Sequence, residues 1–420
     1  MISAAIDFLF SQDLYGLLTI FWFYFIFELP RYSLSTLAVG WRAAFEREPP
    51  APPAQMPISV LLVGHNEGHA LERAVRGLHE QTHGNLQIVV VEDGSTDDMA
   101  AVGARLNSAR LIQRFFSTGI RGGKAAALNL GLQFCDHEFV VVMDVDTSLD
   151  NDAIGRVTAP LVADPTCGAV AGNLAVRNPD QSLLTKFQAL EYVSSISLGR
   201  QFTGMFDLLM IVSGAFGAFR KSAIRDVGGW DVGPGDDSNL TAKLRRAGWR
   251  IEFAPDAWAL TDVPHTSGAY FRQRIRWNRS IIRNRLRKFF IVFDPRQANF
   301  TLRDVFASLN VLWFQLGLSF AYVFYVVNLF IEYGTMALPL IMAIHILGMF
   351  GDLLEFSVAL ISLRRLRIAR LLPYVFGFTF FVSYYDRAIR IIAYVSELIF
   401  RNSYHDAFYP TKVRAAQDQF

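Results

Sequence analysis

Asp144 and Asp146, two carboxylates two residues apart, close the apolar run Phe139 to Met143. At a strand end such a pair offers hard oxygen ligands to a divalent cation. Mg2+ or Mn2+ prefers these, and bridges to phosphate oxygens while keeping some waters. A diphosphate held this way leaves readily, because the cation takes up charge as the bond breaks. The competing reading is a pair of solvated turn aspartates, since D-x-D is short. A second acidic pair, Asp236-Asp237, follows Gly233-Pro234-Gly235 and precedes a helix over Asn239 to Arg246. A carboxylate at a helix entrance can serve as general base toward a hydroxyl. We assign that role to Asp237, with Asp236 positioning it; N-capping is the alternative.

Further polar groups belong with these. Asp93-Gly94-Ser95 follows the apolar run Leu86 to Val91, where a carboxylate can accept from a nucleobase or ribose. Its alternative is local, with Ser95 or Thr96 capping a helix whose first turn holds Asp97 and Asp98. His65-Asn66-Glu67 follows the first strand, and Asn66 and Glu67 would line the same crevice for a nucleotide. Gly122-Gly123 lets backbone approach a ligand, and Lys124 offers a point charge to phosphate. No G-x-x-x-x-G-K-[ST] P-loop is present. Gln273-x-x-Arg276-Trp277 lies in a run, Arg272 to Lys288, with eight basic residues and no acidic one. Arg276 suits diphosphate oxygens, and the Trp277 indole suits the face of a sugar ring. The alternative is an interfacial helix on anionic lipid, which we assign to Arg279, Arg283, Arg285, Arg287 and Lys288. A nucleic-acid partner is excluded, because only this one strip is basic and apolar spans adjoin it. The histidines show no zinc spacing.

These groups need a frame. Ile58 to Val63, Leu86 to Val91 and Phe139 to Met143 read as strands. Glu67 to Glu80, Asp97 to Leu106 and Lys124 to Phe134 read as the helices between them. The alternation predicts an α/β domain with a parallel sheet covered on both faces, and ligands at the carboxyl ends of strands. Gly168 to Ala175, Met210 to Arg220 and Arg250 to Phe253 read as further strands, with a helix over Leu183 to Leu198. Cys135 and Cys167 read as reduced core thiols.

Hydrophobic residues are 52% of 420, with a mean hydropathy of +0.26, concentrated near residues 1–40 and 305–400. The net charge of +2 says little about partners. Leu14 to Phe27 is an uncharged run, short for a crossing, and is followed by Arg31, Arg42 and Arg47. Pro49-Pro50-Ala51-Pro52-Pro53 is a stiff linker. Val305 to Ile331 and Met336 to Leu363 read as spans, and Arg364-Arg365-Leu366-Arg367 as a cytoplasmic loop. Leu371 to Tyr384 and Ile391 to Phe400 read as one crossing, a re-entrant pair or an interfacial helix. Asp352 and Glu355 face protein or water, lining a path or pairing with a loop Arg. The expected divisions are 1–48, a membrane segment; 57–265, the catalytic domain; 266–302, amphipathic helices; 303–400, the membrane region; and 401–420, a tail.

The motif set resembles the family 2 glycosyltransferases, in particular the membrane-embedded processive branch of cellulose, chitin, hyaluronan and poly-N-acetylglucosamine synthases. The resemblance spans Pro57 to Trp277 by motif and the flanks by layout. It implies a GT-A (Rossmann-like) fold fused to α-helical transmembrane segments. It likens Asp93 to the nucleoside-binding Asp, Asp144 and Asp146 to the metal-binding pair, and Asp237 to the base. Gln273, Arg276 and Trp277 match Q-x-x-R-W at the acceptor end of the channel. Ser213-Gly214 with Phe219-Arg220 resembles the segment that cradles the acceptor sugar. The implied activity is inverting, processive polymerisation of a β-linked polysaccharide from a UDP-sugar with Mg2+ or Mn2+. The polymer would be extended at the cytoplasmic face of the inner membrane and passed through the spans, with export or accessory proteins as further partners. The alternative is transfer of one sugar to a polyprenyl phosphate or another lipid. Departures are Asp236 where the family has Glu, one preceding apolar run, and no cyclic-dinucleotide domain afterwards.

Overall fold

The computed structural model describes residues 2–45, 56–233, 235–363, 365–406, 408–411 and 414. The proline linker, Pro234 and Arg364 lie outside them. An N-terminal helical segment comprises α1 (Ile2–Ser11), α2 (Leu14–Ile20) and α3 (Leu29–Phe45), with a π-helical turn, Tyr24–Glu28, before α3. The run predicted over Leu14 to Phe27 therefore extends through Pro30.

An eight-stranded sheet follows: β1 (Ile58–Gly64), β2 (Leu86–Glu92), β3 (Arg114–Ser117), β4 (Phe139–Asp144), β5 (Ser148–Leu149), β6 (Cys167–Val176), β7 (Phe216–Arg220) and β8 (Arg250–Thr261). Its spatial order is β3-β2-β1-β4-β7-β6-β8-β5. The predicted parallel pairing holds for β3-β2-β1-β4 and for β6-β8, whereas β7 runs against both β4 and β6. The sheet is thus mixed, a correction to the all-parallel expectation. The reversal has a use: an antiparallel strand begins where its parallel neighbour ends. Phe216 pairs with Met143, and the Asp144 amide donates to Ala215 O at 3.3 Å. The loop before β7 therefore meets the carboxyl end of β4.

Only Phe216–Arg220 of the strand expected over Met210 to Arg220 is regular. Upstream, side chains satisfy the backbone: Thr241 accepts from the Val212 amide at 3.0 Å, and Arg285 donates to Met210 O at 2.9 Å. Conversely, β8 continues past Pro255, through a register shift in its pairing with β6 between Gly172 and Asn173. Asn173 Nδ2 donates to Pro255 O at that point.

Helices cover both faces. On one lie α4 (Gly68–His79), α5 (Met99–Ser108) and α7 (Ala153–Ala163); on the other, α6 (Lys124–Gln133), α10 (Lys221–Asp226) and α11 (Asp236–Arg246). β1 is buried along its whole length, as a central strand covered on both faces must be. A helical run over 183–205 carries α8 (Leu183–Glu191), a π-helical stretch Tyr192–Leu198 and α9 (Gly199–Met205). Both cysteines are buried and free.

Beyond the sheet come α12 (Ser267–Ile281), α13 (Leu302–Val311), α14 (Leu318–Tyr333), α15 (Ala337–Ser362), α16 (Val375–Phe380) and α17 (Arg387–Phe400). The last two stretches of the sequence are one continuous helix over 375–400. The helical runs Leu302–Ser362 and Arg367–Phe400 are long and apolar enough to cross a membrane by length and composition; the first turns at Gly334, φ +53°. Ile20, Phe21 and Phe23 pack with Tyr322, Tyr325 and Leu340, so the N-terminal segment docks on the C-terminal helices. Asp352 accepts from Thr379, and Glu355 accepts from Ser194 at 3.0 Å, so these acids tie helices together.

The basic run is not an interfacial helix with free arginines. Arg279 donates to Ser396, Arg287 bonds Glu397 at 2.6 Å, and Lys288 bonds Asp231 at 2.6 Å. Arg283 and Arg285 are buried. Carboxylates and carbonyls supplied from α17 and the sheet domain claim side chains that local sequence assigned to lipid. Arg245 plays a similar part, 2% exposed, with Asp304 at 2.8 Å, Asp207 at 3.1 Å and two contacts to carbonyls. It ties α11 to α13. Arg245→Met leaves the buried Asp304 carboxylate without its cation, while Asp207 keeps Arg303, and is expected to destabilise the fold by about 3–5 kcal/mol. Thermal unfolding in detergent, followed by light scattering and tryptophan emission, checks this.

Candidate functional site

The carboxyl end of the parallel strands gathers the expected residues around one lysine. Gly123, in a left-handed conformation at φ +91°, opens α6. Lys124 at its first position reaches across to Asp144, Nζ to Oδ1 2.6 Å. Asp236 and Asp237 form the first turn of α11, entered through Gly235 at φ +73°. Gly214, in the loop before β7, sits between them: a Cβ there would lie 2.5 Å from Asp237 Oδ1 and 2.7 Å from Lys124 Nζ. The Gly214 amide hydrogen-bonds the Asp237 carboxylate. Glycine is therefore required for close approach, and Ser213 beside it accepts from the Ala215 amide at 3.4 Å.

Electrostatics follow from this crowding. Burial and the neighbouring Asp236 push the Asp237 carboxyl up to about 7, with Lys124 and the Gly214 amide pulling the other way. Burial likewise raises Asp236 above the usual carboxylate range, against the pull of Lys124. Its buried Oδ2 has no partner among the described residues. Burial opposes the charge on Lys124, but the carboxylates of Asp144, Asp237 and Asp236 outweigh it and hold the ammonium protonated. The helix dipole at the α11 N-terminus favours anions, yet desolvation wins here.

Glu67, the N-cap of α4 just beyond β1, is pushed up to about 8 by burial and then by Asp144 and Asp146; its buried Oε2 has no partner among the described residues. Asp146 is raised by burial and by Asp144. Mutual repulsion of this kind, with a bare carboxylate oxygen, fits residues that share a divalent cation. Among the described residues no three such side chains close on a common point. Asp144 and Asp146 would then hold Mg2+ or Mn2+ together with phosphate oxygens, the usual partial cage for such ions.

Other expected residues are placed differently from their local readings. Asp93 is 3% exposed, and its two oxygens accept from the Gly122 and Gly123 amides at 2.7 and 2.8 Å. In this structure it holds the loop that presents Lys124. Asn66 adopts φ +61° and accepts from the Thr96 amide at 2.7 Å, joining the β1 and β2 ends. Asp97 accepts from the Gly68 and Met99 amides, capping two helices. Phe219 and Arg220 lie at the wrong end of β7 to cradle anything at the site: Arg220 pairs with Phe139, the start of β4. Arg220 donates to the carbonyls of Leu161, Asp164 and Cys167.

α12 brings in Gln273, Arg276 and Trp277. Gln273 Oε1 is buried without a partner among the described residues. The Arg276 guanidinium lies 3.9 Å over the Phe408 ring, and Tyr409 lies near both Asp236 and Arg276. Trp277 is 39% exposed, with Arg274 stacked on its ring at 4.6 Å. Arg274 is itself held by Glu191 at 2.5 Å. The helical stretch after α12 brackets the acidic pair, since Asn284 Nδ2 donates to Gly235 O at 3.0 Å and to Ser238 Oγ at 2.7 Å.

Arg200 of α9 is a site residue that motif reading missed. Asp237 is its strongest charged neighbour, burial lowers its pKa to about 10, and its buried Nη1 has no partner among the described residues. The available signal was a single charge in the otherwise neutral stretch Tyr192 to Met205.

Residues 53–280 match the family described as Glycosyltransferase like family 2. The chain is 31% identical over 265 residues to the poly-beta-1,6-N-acetyl-D-glucosamine synthase of Staphylococcus aureus (strain COL), covering 61% of this chain and 62% of the relative. It is 30% identical over 271 residues to that of Staphylococcus epidermidis, covering 64% and 63%. The matched region is thus under two thirds of each relative's length. Among solved structures, a mannosyltransferase from Pyrobaculum calidifontis in complex with GDP-Man and Mn2+ superposes with a TM-score of 0.57 at 22% identity, covering 88% of this chain and 96% of the other.

Proposed function

The chain belongs to the family 2 glycosyltransferases, and from that membership we propose that it is a processive, inverting enzyme that builds a β-linked polysaccharide from a UDP-sugar. The observation that carries the reading is the meeting of Lys124, Asp144 and Asp237 at Gly214, with Tyr409 near both Asp236 and Arg276 of the Q-x-x-R-W run. UDP-N-acetylglucosamine is the first donor to test, because the curated relatives are named for a polymer of that sugar.

In this reading Asp237 takes the proton of the acceptor hydroxyl as its oxygen attacks the anomeric carbon. The bond from that carbon to the diphosphate oxygen breaks on the opposite side, and configuration inverts. Lys124 and Arg276 meet the diphosphate, the Gly122-Gly123 loop borders the nucleoside, and Trp277 supports the acceptor ring. A bound Mg2+ or Mn2+ would be held by Asp144 and Asp146 and would neutralise charge on the leaving diphosphate. Gly214 keeps base and ammonium close enough to act on one substrate.

Multi-pass placement in the inner membrane, with the sheet domain cytoplasmic and the polymer passing between helices, belongs to the same proposal. Between these helices lies a small cleft of mixed lining, with Glu28, His345, Asp352 and Arg387 beside Phe23, Phe314 and Leu318. The test is protein in nanodiscs with Mn2+ and a panel of labelled UDP- and GDP-sugars, scoring free nucleotide and product size together. High-mass polymer from one donor is expected. Nucleotide release with only lipid-extractable product would replace the reading with single-sugar transfer to a lipid.

A further inference from the structure

We infer that Arg200 is a binding residue for the acceptor: its guanidinium donates to an oxygen of the terminal acceptor sugar and so turns the attacking hydroxyl toward Asp237. This rests on the polysaccharide reading above.

Nη1 of Arg200 is buried and unpartnered among the described residues. Native structures leave few such donors unmatched, and one left open near a reactive carboxylate suits a substrate oxygen. Asp237 is its charged neighbour, and the neutral phenol of Tyr192 also lies near it. Lys124 already bonds Asp144 of the metal-binding pair. The diphosphate thus has its own cations, and Arg200 faces the base.

Placement gives the direction of approach. α9 packs on β8 and on α3, and the preceding π-helical stretch packs on α15, with Ser194 bonding Glu355. Arg200 therefore reaches Asp237 from the side of the apolar helices. An acceptor whose far end leaves between those helices must pass it.

Among the described residues Gln273 Oε1, in the Q-x-x-R-W run, is likewise buried without a partner, and a sugar offers hydroxyl donors for such an oxygen as well as oxygen acceptors for a guanidinium.

The test uses the full chain in nanodiscs with Mn2+, the active UDP-sugar and a defined oligosaccharide acceptor. Donor KM, acceptor KM and kcat are compared for the parent, Arg200→Gln and Arg200→Lys. For Arg200→Gln we expect acceptor KM to rise about 10-fold or more, the effect of losing a charged hydrogen bond. Donor KM should stay within about 2-fold, since the diphosphate is assigned to Lys124 and Arg276. Arg200→Lys should recover part of the acceptor KM. A lower kcat with a shifted acid limb and an unchanged acceptor KM would make Arg200 a mere counter-ion to Asp237, overturning the inference. Donor and acceptor parameters failing together would also overturn it. Should Arg200→Gln no longer bind UDP, Arg200→Lys carries the same comparison, and no change in its acceptor KM overturns the assignment. A parent protein that releases nucleotide from no donor sinks the underlying reading first, before any Arg200 variant is read, and this inference with it.

Discussion

Asp237→Asn should lower sugar transfer by about 10²–10⁴-fold while UDP binding in the presence of Mn2+ survives, the loss expected when a positioned general base is removed. The amide keeps the shape and can still accept from the Gly214 amide, so the variant tests proton transfer more than folding. The pH dependence sharpens the point. Burial and Asp236 raise the Asp237 carboxyl to about 7, so the active carboxylate is lost as pH falls through that value. The parent should show an acid limb near 7, and the residual activity of Asp237→Asn should lack it. The stability sign is opposite to that of an ordinary carboxylate. A folded-state pKa above the unfolded one means that the native state binds the extra proton, so stability falls as pH rises from about 4 to 7. Above 7 the parent carries a buried anion that the variant does not, and Asp237→Asn should melt no lower than the parent at pH 8. Transfer assays from pH 5.5 to 9 and melting curves at pH 8 check both claims. A variant with near-parental turnover would remove Asp237 from the base role.

The contrast between Asp237 and Asp93 shows what was legible in the sequence. Both are acidic residues at the mouth of a crevice, and local spacing gave them equal standing. The sheet separates them: Asp93 closes on the backbone amides of Gly122 and Gly123, whereas Asp237 stays beside Lys124 and Gly214. Strands β1, β2 and β4 were readable because central strands covered on both faces are continuous apolar runs. β3 was not, being a four-residue edge strand with exposed ends. The reversal of β7 left no local trace, since strand direction depends on the crossover and not on composition. That reversal decides the fate of two predicted groups, bringing Gly214 to Asp144 and carrying Arg220 away. Arg200 belongs to no short motif; its role depends on the distant chain segments that α9 meets. The basic run misled for the same reason, because Glu397 and Asp231 lie far away in sequence.

Lys124→Met should separate cation binding from turnover. Lys124 sits among carboxylates, bonded to Asp144 at 2.6 Å and lowering the pKa of Asp237, Glu67, Asp146 and Asp236. Two consequences pull in different directions. Without the ammonium, transfer should fall by about 10²–10³-fold, because a preorganised cation facing the departing diphosphate is lost. The acid limb should move toward alkaline pH, since Asp237 loses the charge that favours its ionised form. The divalent ion, by contrast, competes with Lys124 for Asp144. Removing that competitor frees a carboxylate oxygen, and half-saturation by Mn2+ should occur at equal or lower concentration than in the parent. Mn2+ binding followed by electron paramagnetic resonance, beside nucleotide release from the same preparation, reads both quantities. Lys124 is 36% exposed at its side chain, so solvent screens part of the repulsion left behind and the fold should survive. If Mn2+ affinity and turnover weakened together, Lys124 would be holding Asp144 and Asp146 in place as a structural strut. If they diverge, Lys124 occupies the position of the cation until donor and metal arrive, and then turns to the phosphate.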